Sequence, residues 1–361
     1  MIAGTLRPTA ISQPGGAGCA AASSEITYDA VGNVASRADF NGNRTCYVTD
    51  ATRNLEVIRL EGLDAQSLCP ADVAAAVPAT GQRKITSEWH PQWRIKTRTA
   101  EPKRITTWVY NGQPDPTNQG QILTCTPAEA QVSAGVPIAV LCKKVEQPTT
   151  DENGAAAFGA TAAGAPRIVS YTYNEFGQVL TVDGPRTDVA DITSYQYWAA
   201  DATCPGAAEG TGMDKGCRGQ LHFATNAASH AIEYTKYSAH GQPLSYTDAN
   251  GLAHSFSYDA RDRLTGHTVN GRTIQYGYDP RGLLTRITQP DGSYVEYVYD
   301  DAERQIGIRD NLGNAIDYVL DAGGNRVSEE ISDTTGALRR AVTREYDALS
   351  RMQREIRGEV Q

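Results

Sequence analysis

Four residues in the middle of the chain have side chains suited to binding a metal ion. Cys204, Cys217, His222 and His230 carry the thiol and imidazole groups that zinc prefers. Structural zinc sites usually contain a closely spaced Cys-x-x-Cys pair, and none occurs here. The spacing therefore argues against zinc.

A second pattern is similar to a calcium-binding loop. Asp39, Asn41 and Asn43 alternate, and Asp50 follows at the place of the last ligand of an EF-hand. The glycine of such a loop is replaced by Arg44, and the segment lies between predicted strands rather than helices. Because Asp, Asn and Gly also form tight turns, we interpret the pattern as a turn.

The other polar residues form no recognised catalytic motif. The six histidines show no ligand spacing, and the sequence lacks a Gly-x-Ser-x-Gly elbow, a phosphate loop and a His-Glu-x-x-His motif. We therefore predict no catalytic residue, no cofactor and no metal, and we expect that the chain is not an enzyme.

The composition favours a folded β protein. The 361 residues are 40% hydrophobic and 21% charged, and the net charge of −9 without a basic run argues against a nucleic-acid partner. No apolar run approaches the roughly 20 residues of a membrane-spanning helix, and no signal peptide is recognised in residues 1–24. The 18 Tyr against 5 Phe, with 34 Gly, indicate half-exposed strands and many turns.

An aromatic residue followed by Asp and a turn recurs about every 21 residues. The copies are centred on Tyr28-Asp29, Tyr173, Tyr237, Tyr258-Asp259, Tyr278-Asp279, Tyr299-Asp300, Asp321 and Tyr346-Asp347. A second turn, such as Asn270-Gly271, lies near the middle of each regular unit, where Asn-Gly supplies the positive φ of a tight hairpin. Each unit therefore predicts strand, turn, strand, turn.

Large side chains alternate with small or polar ones before each aromatic position, as in Ile274, Tyr276 and Tyr278. We predict an all-β fold, a continuous antiparallel sheet of repeated hairpins with one tyrosine-rich face. Like residues of adjacent units should lie opposite one another, so that tyrosines form rows with Tyr258, Tyr278 and Tyr299 on neighbouring rungs. The Ala-rich stretch from Asp72 to Val77 is the one candidate for a short helix.

The repeat units resemble those of the RHS/YD-repeat family, whose consensus is Tyr-Asp, two variable residues and Gly-Arg-Leu. The resemblance rests on Tyr28–Val34, Tyr258–Leu264 and Tyr278–Leu283, and extends roughly from Ile26 to Arg351. It implies a β-sheet that spirals into a hollow shell. Similar shells enclose a C-terminal toxin in bacterial polymorphic toxins and insecticidal toxin complexes, and related repeats form the cell-surface barrels of teneurins.

The resemblance implies a non-enzymatic shell segment of a secreted or cell-surface protein. Its partners would be its own C-terminal toxin domain and a secretion machinery. An alternative is a cell-surface module that binds carbohydrate or another cell through its tyrosine rows. A weaker alternative is autoproteolysis, because self-cleaving family members carry Asp-Pro-x-Gly-Leu and the chain has this string from Asp279 to Leu283. Since Tyr278 is in register with the repeat, we interpret the string as a repeat turn.

The repeat divides the chain into four parts. Residues 1–24 are expected to be irregular, 25–110 to hold degenerate repeats, 111–166 to be a Pro/Ala/Gly-rich insertion, and 167–361 to hold repeats with a loop at 198–219. We interpret both insertions as projecting loops.

Each insertion contains a pair of cysteines. Cys125 with Cys142, and Cys204 with Cys217, are candidate disulfides of an exported protein, and free thiols are the alternative. Cys19, Cys46 and Cys69 are assigned no partner.

Overall fold

The computed structural model describes residues 5–13, 22–64, 66–206 and 216–359. Over these residues the chain is built of antiparallel strands and turns, and its one helical segment is a 3-10 turn at Ala157–Gly159. It forms two compact units, one of Met1–Tyr195 with Asn226–Ala228 and one of Gln196–Thr225 with Ser229–Gln361. The predicted all-β fold of repeated antiparallel hairpins is confirmed.

In the first unit, each strand of the sheet pairs with the next along the chain, except that β13 follows β8. The strands are β1 (Ala10–Gln13), β2 (Ala22–Tyr28), β3 (Val34–Ala38), β4 (Asn43–Asp50), β5 (Leu55–Asp64), β6 (Arg83–Trp89), β7 (Lys96–Glu101), β8 (Arg104–Tyr110), β9 (Gln113–Asp115), β10 (Gln121–Leu123), β11 (Gln131–Ser133), β12 (Val136–Pro137), β13 (Leu141–Pro148), β14 (Arg167–Tyr173), β15 (Val179–Asp183) and β16 (Thr193–Tyr197). Short ribbons of β9 with β10, and of β11 with β12, lie outside this sheet.

In the second unit the strands follow one another without interruption, and each pairs antiparallel with the next. They are β17 (Leu221–Thr225), β18 (Ala231–Tyr237), β19 (Pro243–Thr247), β20 (Ala253–Tyr258), β21 (Leu264–Val269), β22 (Arg272–Tyr278), β23 (Leu284–Thr288), β24 (Tyr294–Tyr299), β25 (Gln305–Asp310), β26 (Ala315–Leu320), β27 (Arg326–Ser332), β28 (Leu338–Tyr346) and β29 (Met352–Glu359).

The Asn-Gly turn adopts the geometry that its sequence predicts. Asn270 and Gly271 have φ of 47° and 77°, and the flanking Val269 and Arg272 are paired. Two successive positive φ angles define the type I′ turn, whose twist matches that of the two strands it joins.

The predicted rows of tyrosines are wrong. Tyr276 lies opposite Ile287, and Tyr297 lies opposite Ile308. Each repeat contributes two strands, so here the tyrosine-bearing β22 and β24 alternate with β23 and β25, which carry isoleucine on the same face. Tyr258, Tyr278 and Tyr299 therefore occupy equivalent places on every second strand rather than neighbouring rungs.

Three expectations about individual segments also differ from the structure. Within residues 1–24, β1 is a regular strand that pairs with β2. The predicted insertion at 111–166 contains β13, which fills the place between β8 and β14. The stretch from Asp72 to Val77 forms a turn, in which the Asp72 carboxylate accepts a hydrogen bond from the Ala75 N–H at 3.0 Å, and Pro78 follows before a helix could extend.

The second predicted loop, 198–219, lies between β16 and β17. Over the described residues of either unit, no layer of helices covers the sheet. Most large side chains of the second unit are half-buried rather than fully buried. The strands must therefore rely on their cross-strand neighbours and on their turns for much of their stability.

Candidate functional site: the Tyr-Asp ladder

The Asp of each repeat closes the turn in which it lies. One carboxylate oxygen of Asp300 accepts the backbone N–H groups of Ala302 and Arg304, both at 2.9 Å, and the other accepts Arg304 Nε at 2.8 Å. The Asp300 N–H donates to the Arg304 carbonyl at 3.0 Å. Because the Arg304 side chain and backbone both donate to it, the pKa of Asp300 is lowered, and the carboxylate remains an ionised acceptor.

Other repeats share this turn. Their acceptors are Asp29, Asp259, Asp279, Asp321 and Asp347. The fourth residue of the turn has positive φ, and it is Gly282 in one copy but Glu303 and Ser350 in others. Glycine adopts this conformation without steric cost, whereas other residues adopt it at some cost.

The tyrosine before the Asp ties the turn to the preceding strand. Tyr299 Oη at the end of β24 donates to the carbonyl of Leu284, the first residue of β23, at 2.9 Å. Equivalent bonds run from Tyr28 to Pro8, Tyr173 to Leu141, Tyr237 to Leu221, Tyr258 to Pro243 and Tyr278 to Leu264, at 2.6–3.0 Å. Burial raises the pKa of Tyr173 to about 12, so its hydroxyl remains a donor.

Arginines join successive turns of the second unit. Arg263 Nε donates to Asp259 Oδ2 at 2.7 Å, and its guanidinium lies 4.6 Å from the ring centre of Tyr278 and donates to the Asp279 carbonyl at 3.4 Å. Arg304 reaches the Asp321 carbonyl at 3.2 Å in the same way. We call the aligned residues the Tyr-Asp ladder: Tyr237, Tyr258-Asp259, Tyr278-Asp279, Tyr299-Asp300, Asp321 and Tyr346-Asp347.

Some turns use a different acceptor, which sequence reasoning missed. His90 is 2% exposed, and its Nδ1 accepts the N–H groups of Gln92 and Trp93 at 3.2 and 3.1 Å. Burial and the Arg53 guanidinium lower the pKa of His90, which keeps this nitrogen able to accept. The signal was present, because Trp89 lies 21 residues before Tyr110 and so is in register with the repeat.

The structure pairs the two cysteines within each predicted insertion. Cys125 is bonded to Cys142, and Cys204 to Cys217, with S–S distances of 2.00 and 1.95 Å. It also pairs Cys46 with Cys69, for which the sequence analysis predicted no partner. Cys19 lies outside the described residues.

The candidate metal sites have other roles in the structure. Cys204 and Cys217 are bonded to each other, and Asp39 Oδ1 accepts the N–H groups of Asn41 and Asn43 at 2.8 and 2.9 Å in a turn. Over the described residues, no group of three or more His, Cys, Asp or Glu side chains is placed to hold a metal ion. Within the same residues, no helix has the length and apolar character to cross a bilayer.

Sequence comparisons find known proteins that are similar to parts of this chain. The family model described as Teneurin YD-shell matches residues 220–352. Probable deoxyribonuclease RhsA of Dickeya dadantii (strain 3937) is 36% identical over 88 residues, which are 24% of this chain and 6% of that protein. Double-stranded DNA deaminase toxin A of Burkholderia cenocepacia (strain H111) is 30% identical over 122 residues, 34% of this chain and 8% of that protein. The chain thus matches less than a tenth of either relative.

Solved structures share the fold. The crystal structure of TcdB2-TccC3 without the hypervariable C-terminal region aligns with 93% of this chain and 16% of that chain, at a TM-score of 0.62 and 14% identity. The crystal structure of TcdB2-TccC3-Cdc42 aligns with 91% of this chain and 16% of that chain, at a TM-score of 0.61 and 15% identity. The repeat register, the Tyr-Asp turns and the relatives agree that the chain is similar to RHS/YD-repeat proteins, and the family match itself covers residues 220–352.

Proposed function

We propose that this chain is a non-enzymatic wall segment of a longer exported polypeptide, and that the wall encloses or presents a C-terminal toxin domain. The observation that carries the proposal is the Tyr-Asp ladder, whose polar side chains bind the protein's own backbone. Two relatives are named as a deoxyribonuclease and a deaminase toxin. Those names describe whole proteins, of which the residues matched by this chain are 6% and 8%.

The bonding of the ladder supports a structural role. The Asp300 carboxylate already accepts backbone and arginine donors, and the hydroxyl of Tyr299 donates to a carbonyl. A general acid or base needs a pKa near the working pH and a free approach to substrate. Lowered Asp pKa values such as that of Asp300 favour turn formation over proton transfer.

The Asp-Pro string is used in the same way. Asp279 Oδ1 accepts the N–H groups of Gly282 and Leu283, both at 2.9 Å, and Oδ2 accepts Arg281 Nε at 2.9 Å. This is the bonding of a repeat turn, so we propose a structural role for Asp279 rather than autoproteolysis. Purified protein should then give one intact mass after prolonged incubation, and fragments ending at Asp279 would contradict this assignment.

The disulfides support an exported protein. Structural disulfides persist mainly in oxidising compartments. Two of the three bonds connect a loop to a strand of the wall, at Cys46 in β4 and Cys142 in β13, and the third closes the segment between β16 and β17. We propose that the chain reaches the cell surface or the exterior as part of its longer polypeptide, by way of a secretion machinery.

Carbohydrate binding by the aromatic face receives less support. Sugar-binding rings need an open face, whereas Tyr246 stacks on His254 at 4.3 Å and Phe256 on His267 at 4.6 Å. The neighbouring rings cover one another, so we retain the wall function as the proposal. Binding of this chain to a glycan array, lost on substitution of Tyr246, would favour the alternative.

Protease protection of the whole polypeptide tests the proposal. Expressed with its natural downstream sequence, the C-terminal domain should resist a protease that digests the same domain expressed alone. Tyr299→Ala removes both the ring and the hydroxyl from the ladder and should expose the domain. Val319→Ser is a matched control, because Val319 is 57% exposed. If the C-terminal domain is digested equally fast in both contexts while the repeats stay intact, the chain does not enclose it.

A further inference from the structure

Two histidines of the second unit share a hydrogen bond. His254 Nδ1 on β20 lies 3.1 Å from His267 Nε2 on β21. The other ring nitrogen of His254 lies 3.4 Å from Asp248 Oδ2. Asp248 begins the turn between β19 and β20, where its Oδ1 accepts the N–H groups of Asn250 and Leu252 at 2.9 Å. A hydrogen-bonded chain from Asp248 through His254 to His267 thus connects three successive strands.

Aromatic rings hold the two imidazoles in place. From β19, Tyr246 stacks on His254 at 4.3 Å with an interplanar angle of 11°. From β20, Phe256 stacks on His267 at 4.6 Å and 9°. The His254 side chain is only 12% exposed, so water has limited access to compensate for a lost hydrogen bond.

The charged groups around the pair come from a few strands. Asp248 is the carboxylate that contacts His254. Beyond β21, Arg272 of β22 lies opposite Val269, in the same row as His254, and the uncharged Ile274 lies opposite His267. On the β18 side, Tyr234 contacts Tyr246 at 5.6 Å, and Glu233 is opposite Thr247 and lies 3.3 Å from His222. The pair therefore has one close anion, and Arg272 adds positive charge to the same row.

The number of protons decides whether the chain can form. With both rings neutral, His254 donates to Asp248 and accepts from His267. One added proton is tolerated, because a charged His254 can donate to Asp248 and to a neutral His267. A second proton leaves two donors facing each other at 3.1 Å with no acceptor between them, and the two positive charges repel.

We propose that the Asp248-His254-His267 chain is an acid-sensitive latch, which holds β19, β20 and β21 together at neutral pH and releases them on acidification. The latch goes beyond the wall function, since it concerns the local opening of one part of the sheet whatever that sheet encloses. It makes this part of the second unit the first to respond to acid.

The direction of the pH dependence follows from the folded state. Burial, and then the charge of His254, lower the pKa of His267 from its ordinary 6.5. As the pH falls through about 6.5, the unfolded or locally opened state binds a proton before the folded state does. The stabilisation from His267 is therefore full above this pH and is lost as the pH falls through the lowered folded-state pKa.

Hydrogen–deuterium exchange of the whole chain at about pH 7.5 and about pH 5 tests the latch. After correction for the chemical exchange rate, peptides from β19 to β21 should exchange about three- to tenfold faster at the lower pH, the effect of one lost hydrogen bond. Peptides from β24 to β26 should show no such change. His267→Gln can still donate to His254 Nδ1 but does not titrate, and should abolish the acid response.

A matched control comes from another histidine of the same unit. His240 lies 2.8 Å from Asp262 and is 67% exposed, so His240→Gln should retain the acid response of β19 to β21. An acid response that is absent from the unsubstituted chain, or that persists in His267→Gln, overturns the latch.

A second measurement needs no variant. Exchange of the imidazole C2 hydrogen titrates each histidine separately in the unsubstituted chain. It should give His267 a pKa below its ordinary 6.5. Titration of His267 at or above its ordinary value would equally refute the proposal, even if the glutamine variant fails to fold.

Discussion

Replacing Tyr299 with phenylalanine removes one oxygen atom from the ladder and leaves the ring in place. The hydroxyl donates to the Leu284 carbonyl at 2.9 Å, so the change deprives a half-buried acceptor of its partner. Such a loss costs about 0.5–1.5 kcal/mol of unfolding free energy. The same change at Tyr237, which is 5% exposed and donates to the Leu221 carbonyl at 2.6 Å, should cost about 1–3 kcal/mol, because the buried position of the Tyr237 side chain limits the access of water to the orphaned carbonyl.

Urea denaturation of the whole chain, followed by circular dichroism, measures both losses. Tyr297→Phe is the control, since Tyr297 lies two residues earlier on β24 and its hydroxyl has no hydrogen bond to another described residue. We expect Tyr297→Phe to change the free energy by less than about 0.5 kcal/mol. Equal losses for Tyr297→Phe and Tyr299→Phe would show that the ladder tyrosines act only through their rings, and would refute the role assigned to the hydroxyl.

Three further predictions address the acceptor, the turn backbone and the disulfides. His90→Asn keeps an acceptor for the turn but does not titrate. Because burial and Arg53 lower the pKa of His90, the original chain should lose stability as the pH falls below about 6.5, and thermal melts of the variant should depend less on pH. Gly282→Ala should cost about 1 kcal/mol in urea denaturation, because φ at this position is 106°. Replacing Cys125 and Cys142 together with serine should lower the unfolding free energy by about 3 kcal/mol, since their bond closes a loop with a sequence separation of 17; peptide mapping without reductant should find Cys125 linked to Cys142 in the original protein.

Much of the second unit could be predicted from the sequence, because its signals are local. The spacing of Tyr258, Tyr278 and Tyr299 predicts the length of the repeat. The alternation of large and small side chains in β22 predicts that Tyr276 and Tyr278 lie on the same face of the sheet. Asp and Gly at fixed offsets gave the turns. The pairing of the strands follows, since adjacent hairpins in register have few alternative partners.

Other features depend on contacts between residues distant in the chain. The strand β13 carries no Tyr-Asp signature, and its place between β8 and β14 depends on pairings such as Lys144 with Trp108. The partner of Cys46 could not be predicted, because the loop that brings Cys69 to it has no repeat register. His90 was missed because imidazole is an uncommon turn acceptor, although its nitrogen can replace a carboxylate oxygen.

The substitutions within the repeat show that a turn needs an acceptor rather than one residue type. Asn174 Oδ1 accepts the N–H groups of Phe176 and Gln178 at 3.0 and 2.9 Å, and Ser238 Oγ accepts those of His240 and Gln242 at 3.2 and 3.1 Å. A repeat that loses its Asp thus keeps its hairpin. This tolerance explains why repeats that lack the Asp still pair with their neighbours. It also fits the general behaviour of repeat arrays, in which stability is approximately a sum of contributions from each repeat and its neighbours.

One repeat separates the tyrosine from the turn. Leu320 stands in the place of the tyrosine, yet the Asp321 turn still forms, because Asp321 Oδ1 accepts the Asn325 N–H at 2.9 Å. In neighbouring repeats, the acceptor of each tyrosine hydroxyl can be read from the strand pairing. Tyr299 donates to the carbonyl of Leu284, and Leu284 is the residue that lies opposite the preceding ladder tyrosine, Tyr278. The corresponding partner of Tyr299 is Gln305.

Leu320→Tyr should therefore form a new hydrogen bond to the Gln305 carbonyl and raise the unfolding free energy by about 0.5–1 kcal/mol. Leu320→Phe adds the ring without the donor and isolates the contribution of the hydroxyl. Urea denaturation measures the difference between the two variants, and hydrogen exchange of β25 and β26 locates it. If Leu320→Tyr and Leu320→Phe stabilise the chain equally, the hydroxyl contributes nothing. The hydrogen bond to the carbonyl of the preceding strand would then not explain why the repeat has tyrosine at this position.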